Sequence, residues 1–127
     1  VEDHAGVRRV LVDLLAGLGY QAFAAASAAE ALELVQRTSF DLLLSDIRLG
    51  RGMDGVELAQ WFIRHHPLIG IVLMSGYSAA QLDLRALPAR CRFIAKPFTP
   101  ELLLQELEAA VTVVDSSRSP AAPEATP

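Results

Sequence analysis

Cysteine is almost absent from this sequence: Cys91 is the only one in 127 residues. A single thiol excludes an intramolecular disulfide framework and a cysteine-rich metal site, and it leaves Cys91 as a small residue for the interior. Basic charge is also in deficit. With 11 Lys and Arg against 15 Asp and Glu, the net charge is -4, the wrong sign for a surface that docks directly on nucleic acid. No apolar run approaches the roughly 20 residues that a membrane-crossing helix requires, so no membrane contact is expected. Residues 116–127 have no apolar period; they hold Ser, Pro, Ala and Thr with a single Arg and a single Glu. Such a segment cannot offset its own ordering entropy. The expected organisation is one domain over 1–114 and a disordered tail or linker over 115–127. What remains is 52% apolar residues, enough for a real core in a chain of single-domain length. The expected setting is a reducing one, the cytoplasm.

Helical and strand-like patterns alternate along the domain. Val7, Val10, Leu11, Leu14, Leu15 and Leu18 recur at three- and four-residue steps, which predicts a helix over about 5–18 stopped by Gly19. Gln21–Ala25 has a weak strand pattern. Ser27 followed by Glu30 is a capping box, so a second helix is expected over 28–37. Asp41–Asp46 and Ile69–Met74 are short apolar runs suited to strands buried on both faces. Between them Gly50, Gly52 and Gly55 mark a loop, and Asp54 can cap a helix that Pro67 ends. Ser78–Gln81 offers another cap, but Pro88 keeps that helix short. Arg92–Ala95 reads as the last strand. Thr99-Pro100-Glu101 starts a helix with proline in its first turn, and Leu103, Leu107, Ala110 and Val114 line its inner face. Strands alternating with helices imply a parallel sheet covered on both sides, and in such sheets the site lies at the carboxyl ends of the strands.

That rule gathers Glu2, Asp3, Asp46, Ser75 and Lys96 on one rim. Clustered carboxylates repel one another and need a cation. Oxygen donors alone select a hard ion, Mg²⁺. A carboxylate beside such an ion can attack phosphorus and form an aspartyl phosphate, with Lys96 offsetting phosphoryl charge and Ser75 donating a hydrogen bond. Each residue alone has a plainer reading: Glu2 and Asp3 as helix caps, Ser75 as a turn residue, Lys96 as a solvated lysine. Asp41 and Asp54 keep such readings, as strand start and helix cap. The combination carries the signal. His65 and His66 stand at a helix end before Pro67, where solvated histidines are the default, so a histidine phosphotransfer bundle is excluded.

Over residues 1 to about 114 the chain resembles the receiver domain of bacterial two-component systems. The resemblance rests on Val1-Glu2-Asp3, Leu43-Leu44-Ser45-Asp46, Gly52-Met53-Asp54-Gly55, Met74-Ser75-Gly76-Tyr77 and Lys96-Pro97-Phe98. It implies a flavodoxin-like, doubly wound five-stranded parallel sheet of order 2-1-3-4-5 with five helices. The first strand would be largely missing from this chain, as expected of a fragment. It implies that Asp46 accepts a phosphoryl group from a phosphohistidine. Asp3 would bind Mg²⁺ directly, Glu2 through water, and Arg48 by its backbone carbonyl. Ser75 and Lys96 would contact the phosphoryl group, and Phe93 would be the aromatic switch. The Lys96–Pro97 bond is usually cis in the family. Partners would be a histidine kinase or a histidine phosphotransfer domain. The face made by the fourth helix, last strand and last helix would signal, and could also pair two copies.

The loop Ile47–Gly52 departs from the family in lacking a proline after the acceptor. That loop, the Met-Ser-Gly-Tyr strand end and Lys-Pro-Phe-Thr-Pro look most like receivers attached to kinases, which favours the carboxyl-terminal receiver of a hybrid histidine kinase over a single-domain regulator. The chain would signal rather than catalyse on a substrate, apart from its own phosphotransfer. Two other functions compete. A receiver-fold interaction module without phosphorylation would have lost one of the rim residues, and none is lost here. A phosphatase of the haloacid dehalogenase type needs an acid two residues after its nucleophile, where this chain has Arg48.

Overall fold

A computed structural model describes residues 1–50, 52–76 and 87–118, with backbone alone for 115–118. Its elements are α1 (Ala5–Gly17), α2 (Ala28–Arg37), β1 (Leu42–Asp46), α3 (Gly55–His65), β2 (Gly70–Ser75), β3 (Arg92–Ala95) and α4 (Pro100–Arg118). The helix starts follow their capping chemistry. Ser27 Oγ accepts from Glu30 N, while the Glu30 carboxylate reaches back to Ala26 N. Asp54 and Glu57 exchange side-chain and backbone bonds in a complete capping box. Thr99 Oγ1 accepts from Leu102 N one turn into α4. Gly19, at φ 97°, follows the end of α1 in a left-handed conformation that favours glycine.

The three strands are parallel and run in the order β1-β2-β3. Side chains of β2 alternate between two cores, as a strand period of two requires. Ile71 and Leu73 join Leu43, Leu58, Ala59 and Phe62 under α2 and α3. Val72 and Met74 join Leu11, Ile94, Leu103, Leu107 and Ala110 under α1 and α4. This is the doubly wound α/β arrangement expected. Cys91 is half-buried, and burial pushes its thiol up to about 11, in keeping with an inert interior residue.

Three expectations are corrected or bounded. Gln21–Ala25 forms no strand. A strand needs a ladder, and the bonds beside it are few: Glu2 N donates to Ala25 O, Asp46 N donates to Val1 O, and Val1 N donates to Leu44 O. The described sheet therefore has three strands rather than five. A cavity of about 640 Å³ lies between residues 21–25 and β1, lined by Leu11, Leu15, Phe23, Val35, Leu42 and Leu44 among others. The helix expected after Ser78 lies outside the described residues. At the other end α4 continues to Arg118, so 115–118 extend the helix rather than open the tail; 119–127 lie outside the described residues.

Gly70 shows how tightly α4 sits on the sheet. A Cβ there would lie 2.9 Å from the Ala110 carbonyl oxygen and 3.0 Å from its carbon, backbone atoms that cannot turn aside. Gly70→Ala is expected to lower unfolding free energy by about 1–3 kcal/mol. Urea denaturation checks this; wild-type stability in the variant would show that α4 is not seated as described.

Candidate phosphoacceptor site

The strand register brings the rim together. Asp46 pairs with Met74, and Ser75 pairs with Ala95. The ladder continues one step past each strand: Ile47 N donates to Met74 O at 2.9 Å, and Lys96 N donates to Ser75 O at 2.7 Å. Asp46, Ser75 and Lys96 thus emerge from adjacent strand ends. Glu2 arrives on the other side of Asp46 through the backbone bonds of Val1 and Glu2, and Arg8 of α1 donates to the Glu2 carbonyl at 2.9 Å. His4 caps α1, its Nδ1 accepting from Val7 N, and its own amide donates to Glu2 Oε2.

At the centre, Lys96 Nζ lies 2.8 Å from Glu2 Oε1 and 2.8 Å from Asp46 Oδ1. Both carboxylates are buried, so this ammonium is their charge compensation. Burial raises the Asp46 carboxyl to about 6, a hydrogen bond with Glu2 adding to the rise and Lys96 opposing it. Glu2 goes the other way. Burial would raise it, but hydrogen bonds with Asp46 and Lys96 outweigh that and hold it at about 2. The lysine is raised: burial opposes its charge, and the two carboxylates more than restore it. Of the two acids, Asp46 is raised and Glu2 lowered, with Lys96 shared between them.

Glu2, Asp3 and Asp46 can each place a carboxylate oxygen within 4.8 Å of the others. Opposite oxygens of an octahedral Mg²⁺ shell, at about 2.1 Å each, stand roughly 4.2 Å apart. Neighbouring oxygens of that shell stand closer, about 3.0 Å apart, so the three acids could share one hard cation only by drawing together. Asp3 is exposed at the rim, open to an ion that retains several waters. Arg48 is exposed while Ile47 and Leu49 on either side are buried, so the loop is anchored by two apolar side chains. Gly50 and Gly52 then turn it at φ 75° and 83°, conformations closed to the proline usual in the family. Ser75 is buried beside Asp46's strand. Phe93 is half-buried against the core shared by α2 and α3. The Lys96–Pro97 bond is cis.

Sequence reasoning missed two residues beside Asp46. Ser45 is fully buried and donates its hydroxyl to the Asp46 carbonyl at 2.8 Å. Gly55 opens α3 directly against the same carbonyl. Ser45 gave no signal, because a serine in a buried strand has many readings. Gly55 was visible only as a loop residue.

A parallel sheet with an acidic, lysine-bridged rim at its carboxyl edge defines a phosphoacceptor module of the doubly wound class. Comparison with known proteins agrees. The family model described as the response regulator receiver domain matches residues 1–108. The response regulator receiver protein CpdR of Brucella abortus is 34% identical over 84% of this chain and 89% of its own length. The DNA-binding transcriptional regulator NtrC of Escherichia coli is 30% identical over 94% of this chain, which spans only 26% of that protein. Among solved structures, the receiver domain of NtrX from Brucella abortus superposes with a TM-score of 0.77 at 27% identity, covering 87% of this chain and 94% of that one. The chain belongs to the response regulator receiver family, the phosphoacceptor modules of two-component systems.

The two acids set a pH dependence. Asp46 has its folded value raised to about 6 from an ordinary 3.8. Between those values the folded chain keeps a proton that the unfolded chain has released, so stability falls as pH rises from about 4 through 6. Glu2, held at about 2 from an ordinary 4.5, contributes stability above 4.5 that is lost as pH falls toward 2. Without divalent ions, Asp46→Asn should therefore abolish the decline between pH 4 and 6. Urea melts of both proteins across that range check it; parallel curves would refute the assignment.

Proposed function

We propose that Asp46 accepts a phosphoryl group from a phosphohistidine on a histidine kinase or histidine phosphotransfer domain. The observation that carries this is the Lys96 ammonium held 2.8 Å from both Asp46 and Glu2, beside a third carboxylate with which these acids could hold a cation. An Asp46 carboxylate oxygen attacks phosphorus, and the bond from phosphorus to the imidazole nitrogen breaks with its electron pair returning to the ring. Glu2, Asp3, the Asp46 carboxylate and the Arg48 carbonyl would hold Mg²⁺. Bound there, the ion would offset carboxylate repulsion and the charge on the equatorial phosphoryl oxygens. Lys96 moves its contact from the Asp46 carboxylate to a phosphoryl oxygen, keeping Glu2 as its second partner. Ser75 donates its hydroxyl to another phosphoryl oxygen, and Phe93 follows by turning further inward, altering the surface near β3 and α4. The bias between the two Phe93 positions is about 1 kcal/mol, a partial population shift.

The domain acts as a signalling switch in the cytoplasm rather than as an enzyme with a separate substrate. Among the described residues no helix is long and apolar enough to cross a membrane. A dimer through the β3–α4 face belongs to the same proposal, as does a tail beyond α4. The named relatives are regulators, and this favours a response-regulator parent over the hybrid kinase suggested by the loop sequences.

With Mg²⁺ and acetyl phosphate, the wild-type chain is expected to gain one acid-labile phosphoryl group and Asp46→Asn none, read by intact-protein mass. Equal labelling of the variant would remove Asp46 from the role. Asp3→Ala is expected to abolish Mg²⁺ binding in calorimetry while circular dichroism stays unchanged; undiminished affinity would place the ion elsewhere.

A further inference from the structure

We infer that Gly55 is a positioning residue for phosphotransfer: its missing side chain lets α3 close on the peptide of Asp46 and, together with the Ser45 hydroxyl, sets where the acceptor carboxylate stands. The inference rests on Asp46 being the acceptor. Gly55 is not among the glycines with positive φ, which are Gly19, Gly50 and Gly52, so any L-residue could adopt its backbone conformation. What it lacks is space. A Cβ would fall well inside the van der Waals shell of the Asp46 carbonyl oxygen, 2.8 Å from the Asp46 carbonyl carbon and 2.9 Å from Ile47 Cα. All three are backbone atoms, so no rotamer change could relieve the clash. Gly17, by contrast, has nothing within 4 Å of its would-be Cβ.

The close approach is held by bonds on both sides. Gly55 N donates to Ile47 O at 2.7 Å, and the capping box of Asp54 and Glu57 stiffens the first turn of α3. From within the strand, Ser45 Oγ donates to the Asp46 carbonyl at 2.8 Å. The Asp46 peptide is therefore gripped between a helix start and its own neighbour, at the point where β1 leaves the sheet. Its carboxylate extends from this grip toward Glu2, Asp3 and Lys96. A shift of the peptide moves the nucleophile relative to groups that arrive on other elements and do not move with it. Displacements near 1 Å at a reacting atom cost up to about 100-fold in rate.

The test is labelling by acetyl phosphate with saturating Mg²⁺. Gly55→Ala is expected to label about 10- to 100-fold more slowly, at full final stoichiometry and with an unchanged half-saturating acetyl phosphate concentration. Circular dichroism under the labelling conditions separates this from loss of fold, which would diminish the native signal. Gly17→Ala, the control, is expected to label at the wild-type rate. Should Gly55→Ala fail to fold, Ser45→Ala carries the test, with a several-fold slower rate expected at full stoichiometry. Wild-type rates in a folded Gly55→Ala, or in Ser45→Ala if that variant must stand in, would overturn the inference while leaving Asp46 as acceptor. Absence of labelling in the wild-type chain would overturn both.

Discussion

One ammonium organises this molecule's working end. Lys96 bridges two buried carboxylates whose residues lie 94 and 50 positions away in sequence, at 2.8 Å each. Two acids brought this close without a cation would raise each other's pKa until one ceased to ionise. With Lys96 shared between them, Glu2 is lowered to about 2 and Asp46 is raised to about 6. The same geometry gives a hard cation a ready set of oxygens. The rim is thus a charge imbalance: three acids gathered about one ammonium.

That balance is only as good as the sheet beneath it. The parallel register sets Asp46, Ser75 and Lys96 side by side, because each leaves the ladder within one residue of its neighbour. The register in turn is held by side chains alternating into two separate cores, so that a slip of one residue would exchange the two faces of β2. Close backbone approaches tighten the assembly. Gly70 admits α4 and Gly55 admits α3, and both are glycine for want of space rather than for backbone freedom. The Arg92–Glu106 pair at 2.7 Å adds a tie between β3 and α4; half-exposed as it is, it fixes geometry more than it adds stability.

Most helices and the two best strands were legible locally. Ser27 with Glu30, Asp54 with Glu57, and Thr99 before Pro100 each carry their own start signal. The apolar run of β2 has only one comfortable environment, between two layers. Gln21–Ala25 failed for a physical reason: strand character is supplied by a neighbouring ladder, and the bond described there is Glu2 N to Ala25 O. The far end of α4 was underestimated because Asp115–Arg118 lack an apolar period of their own, yet they extend a helix already nucleated by packing.

The site divides along the same line. The rim residues Glu2, Asp3, Asp46, Ser75 and Lys96 could be named from the sequence, because residue type and position at a strand end are both local properties. So could the kind of chemistry, since carboxylates, a hydroxyl and an amine have fixed affinities for cations and phosphoryl oxygens. Which oxygen Lys96 would reach, which acid is raised and which lowered, and why Ser45 and Gly55 stand beside Asp46 were decided only by tertiary structure. Those properties depend on distances between elements far apart in the chain, and on the dielectric that burial creates around them.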